Sequence, residues 1–197
     1  MFRLPHARGV AAVMSVMVTS VVMLAAACDS ESTITSPFER ASERAAYGVT
    51  VSRQLGELRV ATNAFHDSTQ ALAASWSAKI TSCMWDVNGG MGFHYGNVGL
   101  IDGEVQVDKP ELLLYEPTAN GKSQLVAVEY VVPYTFRSRD AEPPVLFGQR
   151  FARNDRFQLW GLHAWVWKEN PAGMFAGMNP QVSCASTTDL DVVPMAH

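Results

Sequence analysis

The sequence predicts an α+β fold in which a long N-terminal amphipathic helix packs on a mainly antiparallel β-sheet. Apolar residues recur at steps of three and four between positions 47 and 76, which is the spacing of one helical face. From about position 91 the period changes to two, and turn residues interrupt the chain, as expected for antiparallel strands. The helical stripe should therefore cover one face of the sheet.

The helix should begin at Pro37. Ser36 supplies an N-cap, Pro37 occupies the first helical position, and Glu39 lies three residues after the cap, which together form a capping box. One long helix or two helices in line would fit, with a kink or break near Gly48, because glycine costs about 1 kcal/mol relative to alanine inside a helix. The stripe comprises Tyr47, Val51, Leu55, Leu58, Thr62, Phe65, Thr69, Leu72 and Trp76.

Four apolar runs predict strands in the second half of the chain. Residues 111–116 and 124–132 are each followed by a proline and are separated by the turn sequence ANGK, so they predict a β-hairpin. Two further strands are predicted at 145–151 and 157–168. The last run is apolar on both faces, which is typical of a central strand.

The first 27 residues predict a secretory signal of the lipoprotein type. A basic region with Arg3 and Arg8 precedes an uncharged stretch that ends in three alanines directly before Cys28. This ending resembles the lipobox of bacterial lipoproteins, although the usual leucine lies one place early, at Leu24. The resemblance implies cleavage after residue 27 and a lipidated Cys28 that anchors the protein in the bacterial cell envelope, on the periplasmic side or at the cell surface. Ordinary cleavage and an uncleaved anchor are the alternatives.

Length and composition predict one domain after the signal. We interpret residues 28–36 as the lipidated cysteine and a polar tether, 37–184 as a single α+β domain, and 185–197 as a loose C-terminal tail. Residues 1–27 contain two of the 15 basic residues and none of the 19 acidic ones, so the mature chain has a formal charge of −6. Nucleic acid is therefore not an expected partner, since its binding requires neutralisation of phosphates by Lys and Arg.

Two cysteines remain after Cys28. Cys83 and Cys184 form an even number in an oxidising compartment, which predicts a disulfide between them. A thiolate zinc site is the alternative. It would usually require a second cysteine or histidine two to four residues from either one, and the sequence has none there.

Several chemistry-bearing residues lie in otherwise apolar or glycine-rich surroundings. Alternation places Glu129 in an apolar row of the hairpin, and it places His163 on the same face as Trp165 and Trp167. His94 lies in the glycine-rich stretch MGFHYGN, where bare backbone would leave room beside the imidazole for a ligand. These three residues, with His66 as a fourth candidate, match the ligand sets of zinc, copper or non-haem iron.

Six blocks of sequence resemble those of a group of uncharacterised exported bacterial proteins. The blocks are MGFHYGN, ELLLYEP, LVAVEYVVP, LFGQRF, LHAWVWKENPAGMF and NPQVSC. In that group an aromatic-His-Asp element, similar to Phe65-His66-Asp67 here, precedes the blocks. The resemblance spans residues 65–184 and implies that residues 83–184 form one unit. The group has no established activity, so the resemblance implies no reaction.

Two classes of function remain open. One is a small-ligand or metal site lined by His94, Glu129 and His163, with enzymatic use left open. The other is a non-catalytic envelope module that binds a protein or glycan and whose His/Glu cluster is structural. Convergence of the three side chains within about 4–5 Å beside a cavity would favour the metal, whereas a closed hydrogen-bond chain would favour the structural role. The tryptophans could alternatively stack on a sugar, and a loose group of arginines at 137–156 could attract a carboxylate ligand.

Overall fold

The structure, a computed structural model, describes residues 37–192. The predicted signal peptide, the predicted lipidation site at Cys28 and the polar tether lie outside the described residues. The fold is α+β, as predicted: an N-terminal helix precedes and packs on a mainly antiparallel sheet. Between residues 37 and 192, no helix is long and apolar enough to cross a membrane.

Helix α1 spans Pro37–Thr62, and the predicted N-cap Ser36 lies outside the described residues. The helix continues through Gly48 without a break, because glycine weakens a helix but retains the N–H that continues its hydrogen-bond ladder. A single 3₁₀ turn follows at Asn63–His66, and helix α2 spans Ser68–Ala73. The predicted stripe ends at this junction, where the Asp67 side chain accepts a hydrogen bond from the backbone N–H of Thr69 and caps α2.

The sheet is built from short strands in antiparallel pairs, apart from one parallel pair. The strands are β1 Ala78–Lys79, β2 Cys83–Asp86, β3 Gly89–Gly96, β4 Leu112–Pro117, β5 Ser123–Pro133, β6 Val145–Leu146, β7 Gln149–Arg150, β8 Ala152–Asn154, β9 Leu159–Ala164 and β10 Leu190–Val192. Their order is β10-β2-β3-β4-β5-β9-β8, with β1 beside β3 and with β6 and β7 paired separately. Strands β10 and β2 are parallel.

The β4–β5 hairpin is confirmed, whereas the two later strand predictions need correction. The run at 145–151 turns back on itself, because Phe147 and Gly148 adopt positive φ values of 51° and 67° between β6 and β7. Strand β9 ends at Ala164, because Trp165 leaves the sheet and donates its backbone N–H to the Met174 carbonyl. Trp165 and Trp167 therefore do not share one strand face with His163.

The two faces of the sheet bury different sets of side chains. On one face, Leu58 of α1 packs in a cluster with Leu113, Val128 and Tyr130, and the stripe residue Leu55 lies against this cluster. The opposite face buries a second apolar cluster, composed of Leu112, Leu114, Val126, Ala127, Val131, Trp165 and Val182. The candidate site lies on this second face, away from α1.

Cys83 and Cys184 form the predicted disulfide. It joins β2 to the segment that precedes β10, and Lys79 and Asp189 form an ion pair beside it. The prediction of a loose tail from residue 185 is wrong for residues 190–192, which form β10. The disulfide holds the chain beside β2, so the following residues reach its open edge and pair with it. Residues 193–197 lie outside the described range.

Candidate metal centre

Three strands bring His94, Glu129 and His163 to the sheet face opposite α1. Glu129 on β5 is directly opposed to His163 on β9 and to Leu112 on β4. His94 on β3 is directly opposed to Leu114, two residues from Leu112 along β4. Directly opposed residues of antiparallel strands, and alternate residues along one strand, point to the same face. The register of four neighbouring strands therefore places all three side chains together.

The three side chains are spaced as ligands of one ion rather than as hydrogen-bond partners. Glu129 Oε2 lies 3.5 Å from His94 Nε2 and 3.8 Å from His163 Nε2. One ligand atom from each of the three residues lies within 4.8 Å of the other two. Hydrogen bonds between such atoms require about 2.7–3.2 Å. Ligands at about 2.0–2.1 Å from a tetrahedral zinc ion lie about 3.3 Å apart.

Burial sets the protonation states at this cluster. The side chains of His94, Glu129 and His163 are 3%, 8% and 11% exposed. Burial lowers the pKa of His94 to about 3, with a further contribution from His163, while a backbone hydrogen bond with Gly92 opposes it. Burial also lowers the pKa of His163 to about 4 and raises that of Glu129 to about 8. Near neutral pH both imidazoles are therefore neutral, as metal ligation requires.

One ring nitrogen of His163 has no polar partner. Its Nε2 is buried and has no hydrogen-bond partner among residues 37–192. The ring itself stacks on Trp165, with an interplanar angle of 10° and centroids 6.2 Å apart. Leaving a buried polar atom unsatisfied costs about 1–3 kcal/mol, so most such atoms in proteins have a partner. A cation coordinated beside Glu129 would supply one.

His94 is oriented by Thr81. Its Nδ1 lies 2.8 Å from Thr81 Oγ1, and the Ile80 backbone N–H donates to the His94 carbonyl at 2.8 Å. If Nδ1–H donates to the threonine hydroxyl, the lone pair of the ring is on Nε2, the atom that faces Glu129. Hydrogen bonds of this kind fix the tautomer of metal-ligating histidines.

The glycines beside His94 allow neighbouring atoms to pack closely and do not leave open space. Gly92 has a φ of +83°, and a side chain there would meet the Tyr115 carbonyl oxygen at 2.4 Å. A Cβ on Gly96 would lie 2.9 Å from the Ile80 side chain. The expectation that bare backbone leaves room beside the imidazole is therefore wrong, since Tyr115 backbone and the Ile80 side chain fill those positions. His94 instead lines a cavity together with Glu129 and His163.

A cavity of about 400 Å³ adjoins the three side chains. Thr81, His94, Glu129 and His163 are at its polar end. Its apolar walls are Ile80, Met84, Met91, Leu112 and Leu159. Its rim is the end of β8 and the turn that follows, with Arg153, Asn154, Asp155, Arg156 and Phe157. A volume of this size lies within the range of small-molecule sites, about 300–1,000 Å³.

His66 does not join the cluster. It is exposed on the 3₁₀ turn after α1, where its ring edge contacts Trp167 at a centroid distance of 4.4 Å. The Trp167 ring N–H donates to Thr62, and the Trp165 ring N–H donates to the Ala176 carbonyl. Both ring N–H groups are bonded within the protein, and these two indoles do not form a stacking platform for a sugar.

Two residues near the site, Thr81 and Glu111, were not among the candidate site residues predicted from the sequence. Thr81 gave no signal, because its contact with His94 depends on β1 pairing with β3. Glu111, which is 1% exposed, accepts a hydrogen bond from the Val131 backbone N–H at 3.0 Å. Burial raises its pKa to about 8, and the charge of nearby Glu129 adds to this effect. The signal in the sequence that could have identified Glu111 is its place directly before the apolar run LLLY.

Comparison with known proteins identifies no family for this chain. No protein-family model, curated protein or solved structure matches the chain. The function is therefore argued from the site itself.

Proposed function

We propose that this chain is an exported protein of the bacterial cell envelope that binds one divalent transition metal through His94, Glu129 and His163. The observation that carries the proposal is the buried, unpartnered Nε2 of His163 beside Glu129. The three ligand atoms lie within 4.8 Å of one another, and they adjoin a cavity. The distances are too long for the closed hydrogen-bond chain of a structural cluster.

Zinc is the metal that the donor set suits first. Two imidazoles and one carboxylate form a common catalytic zinc set, and the same set with further open positions binds non-haem iron. Copper also accepts imidazole, but among the described residues the ligand group includes no cysteine sulfur. Three protein ligands leave one tetrahedral position open to the cavity. A metal there would act as a Lewis acid towards a bound group.

Export and lipid anchoring belong to the same proposal. Their support is the signal-like sequence of residues 1–27 and the cysteine that ends it. The Cys83–Cys184 disulfide is consistent with an oxidising compartment. The resemblance to a group of uncharacterised exported proteins remains a prediction.

The test is metal content and zinc affinity of the purified protein from residue 29 onward, freed of metal with a chelator. We expect one equivalent of zinc per chain after reconstitution. His163→Ala should lower the affinity at least a hundredfold, because it removes one of three protein ligands. His66→Ala is the matched control, since it removes an exposed imidazole outside the cluster, and it should bind zinc like the unaltered protein.

The proposal fails if reconstitution with zinc, iron(II) and copper(II) each leaves less than about a tenth of an equivalent bound. It also fails if His163→Ala and His66→Ala bind zinc with equal affinity, because the site would then lie elsewhere. Circular dichroism of each variant verifies that the fold is intact.

A further inference from the structure

With a divalent ion bound, the centre would carry a net positive charge. Two neutral imidazoles offset none of the two charges of the ion, and the carboxylate of Glu129 offsets one. The three side chains are nearly buried, so water offers little screening. An uncompensated charge in such surroundings costs free energy. A fourth ligand with a single negative charge would remove this cost.

The cavity beside the centre favours a ligand whose remaining atoms, apart from the charged group, are apolar. Its apolar lining consists of isoleucine, methionine and leucine side chains, in the same cavity that His94 and His163 line. Phe157 contributes an aromatic face at the rim and is 38% exposed. A hydrated ion such as phosphate would lose its water shell against these walls without replacement. An aliphatic or aromatic tail would lose only apolar surface exposed to water.

The rim favours the approach of an anion. Arg153 lies at the rim, with its guanidinium carbon 5.4 Å from the centre of the Trp160 ring. Asp155, the acid at the same rim, is paired with Arg139 at 2.9 Å, so its charge is largely offset. A positive charge at the mouth of a cleft raises the rate at which anions enter it.

We propose that the cavity binds a small monocarboxylate with an apolar tail. The carboxylate would occupy the open position of the metal, and the tail would lie against Met84, Met91 and Leu159. This inference rests on the proposed metal site. It commits to the chemical class of the ligand and not to one compound.

The experiment uses zinc-loaded protein from residue 29 onward, desalted to remove unbound zinc, and titrates it with acetate, butanoate, hexanoate and octanoate. Calorimetry should show affinity rising up to about fourfold for each added methylene that is buried. Octan-1-ol and octylamine have the same tail without the carboxylate, and each should bind at least tenfold more weakly than octanoate. Octanoate should bind the metal-free protein at least tenfold more weakly than the zinc-loaded protein.

Two surface variants test the placement. Phe157→Ala should weaken octanoate several-fold and leave acetate unchanged, because only the longer tail reaches the rim. Phe136→Ala is its matched control, since Phe136 is also exposed but does not line the cavity. Both variants should retain the zinc affinity of the unaltered protein.

The outcomes separate this inference from the metal site. If zinc binds but octanoate binds no tighter than octan-1-ol, or binds equally with and without zinc, the carboxylate inference is overturned and the metal site remains. Equal effects of Phe157→Ala and Phe136→Ala would also overturn it. If zinc itself does not bind, the proposed function fails at the first step, before any carboxylate is added.

Discussion

Glu129 and His163 are directly opposed on two antiparallel strands, with Glu129 Oε2 3.8 Å from His163 Nε2. His94 approaches the same oxygen from β3, with its Nε2 at 3.5 Å. One carboxylate oxygen thus faces two ring nitrogens without a hydrogen bond to either. Lone pairs directed at one another repel unless a proton or a cation lies among them. Metal binding at this oxygen therefore displaces a proton, so metal affinity and proton release are thermodynamically linked.

Zinc binding at pH 6 should release close to one proton per chain. Burial raises the pKa of Glu129 to about 8, so its carboxyl group is protonated at pH 6 before zinc binds. His94 and His163, with pKa values of about 3 and 4, are already neutral and release none. A zinc-bound water with a pKa near 7 remains mostly protonated at this pH. Calorimetry in buffers of different ionisation enthalpy counts the protons.

Glu129→Gln is the control for that count. It keeps the size of the side chain and removes the proton, so its zinc binding should be weaker and should release less than about a third of a proton. A wild-type release below about 0.3 proton at pH 6 would show that Glu129 is not the group that zinc displaces.

The metal-free protein should lose stability as the pH rises from about 6.5 to about 8, because below pH 6.5 the two buried histidines offset the loss that Glu129 causes. The pKa of Glu129 is 4.5 unperturbed and about 8 in the folded chain, so the unfolded chain releases this proton first. Its contribution to the free energy of unfolding is therefore fully present below pH 4.5 and is lost as the pH rises through 8. The slope is at most about 1.4 kcal/mol per pH unit for one group. Urea unfolding at several pH values measures it.

Comparison with Glu129→Gln isolates this group from Glu111, which titrates in the same direction. The glutamine variant lacks the ionisable group, so its stability relative to the wild type should increase steadily between pH 5 and pH 8. The two buried histidines act in the opposite sense, because their lowered pKa values cost stability only as the pH falls below 6.5. A stability difference that stays constant from pH 5 to pH 8 would contradict the raised pKa of Glu129.

Thr81→Ala should weaken zinc binding about tenfold without removing a ligand. The hydroxyl of Thr81 lies 2.8 Å from His94 Nδ1, and loss of such an orienting partner typically costs 10–100-fold in metal affinity. Thr81→Ser retains the hydroxyl and should restore most of the affinity. Nitrogen chemical shifts of the His94 ring report its tautomer. If Thr81→Ala weakens zinc binding but leaves the tautomer of the metal-free protein unchanged, the residue acts through packing and not by orienting the ring.

Local patterns in the sequence predicted the elements that depend on local interactions. The helix from Pro37 to Thr62 agrees with the apolar spacing of this region, and the β4–β5 hairpin follows from alternation and a turn. Glu129 and His163 stood out because acids and imidazoles are costly in apolar strands. Their direct opposition depends on the register between β5 and β9, which no short pattern specifies.

The missed features depend on contacts between distant parts of the chain. Thr81 meets His94 only because β1 pairs with β3, and β10 forms only where the disulfide holds the tail beside β2. His66 ends the 3₁₀ turn after α1, and the Asp67 side chain caps a new helix directly after it. A side chain that caps a helix terminus can set the end of a helix even where the apolar spacing continues, and Asp67 does so here.

Cys28→Ser should release the full-length protein from the membrane and leave its zinc site intact. If Cys28 carries the lipid, its acyl chains hold the protein in the membrane, and serine cannot accept them at that position. Cells that express the two forms can be fractionated. The wild type should be in the membrane pellet. The variant, uncleaved or trimmed elsewhere, should be partly in the soluble fraction. Mass spectrometry of the wild-type N-terminus should show a modified cysteine as the first residue. An unmodified N-terminus at another position would instead indicate ordinary cleavage, while zinc binding by residues 37–192 would be unaffected in either case.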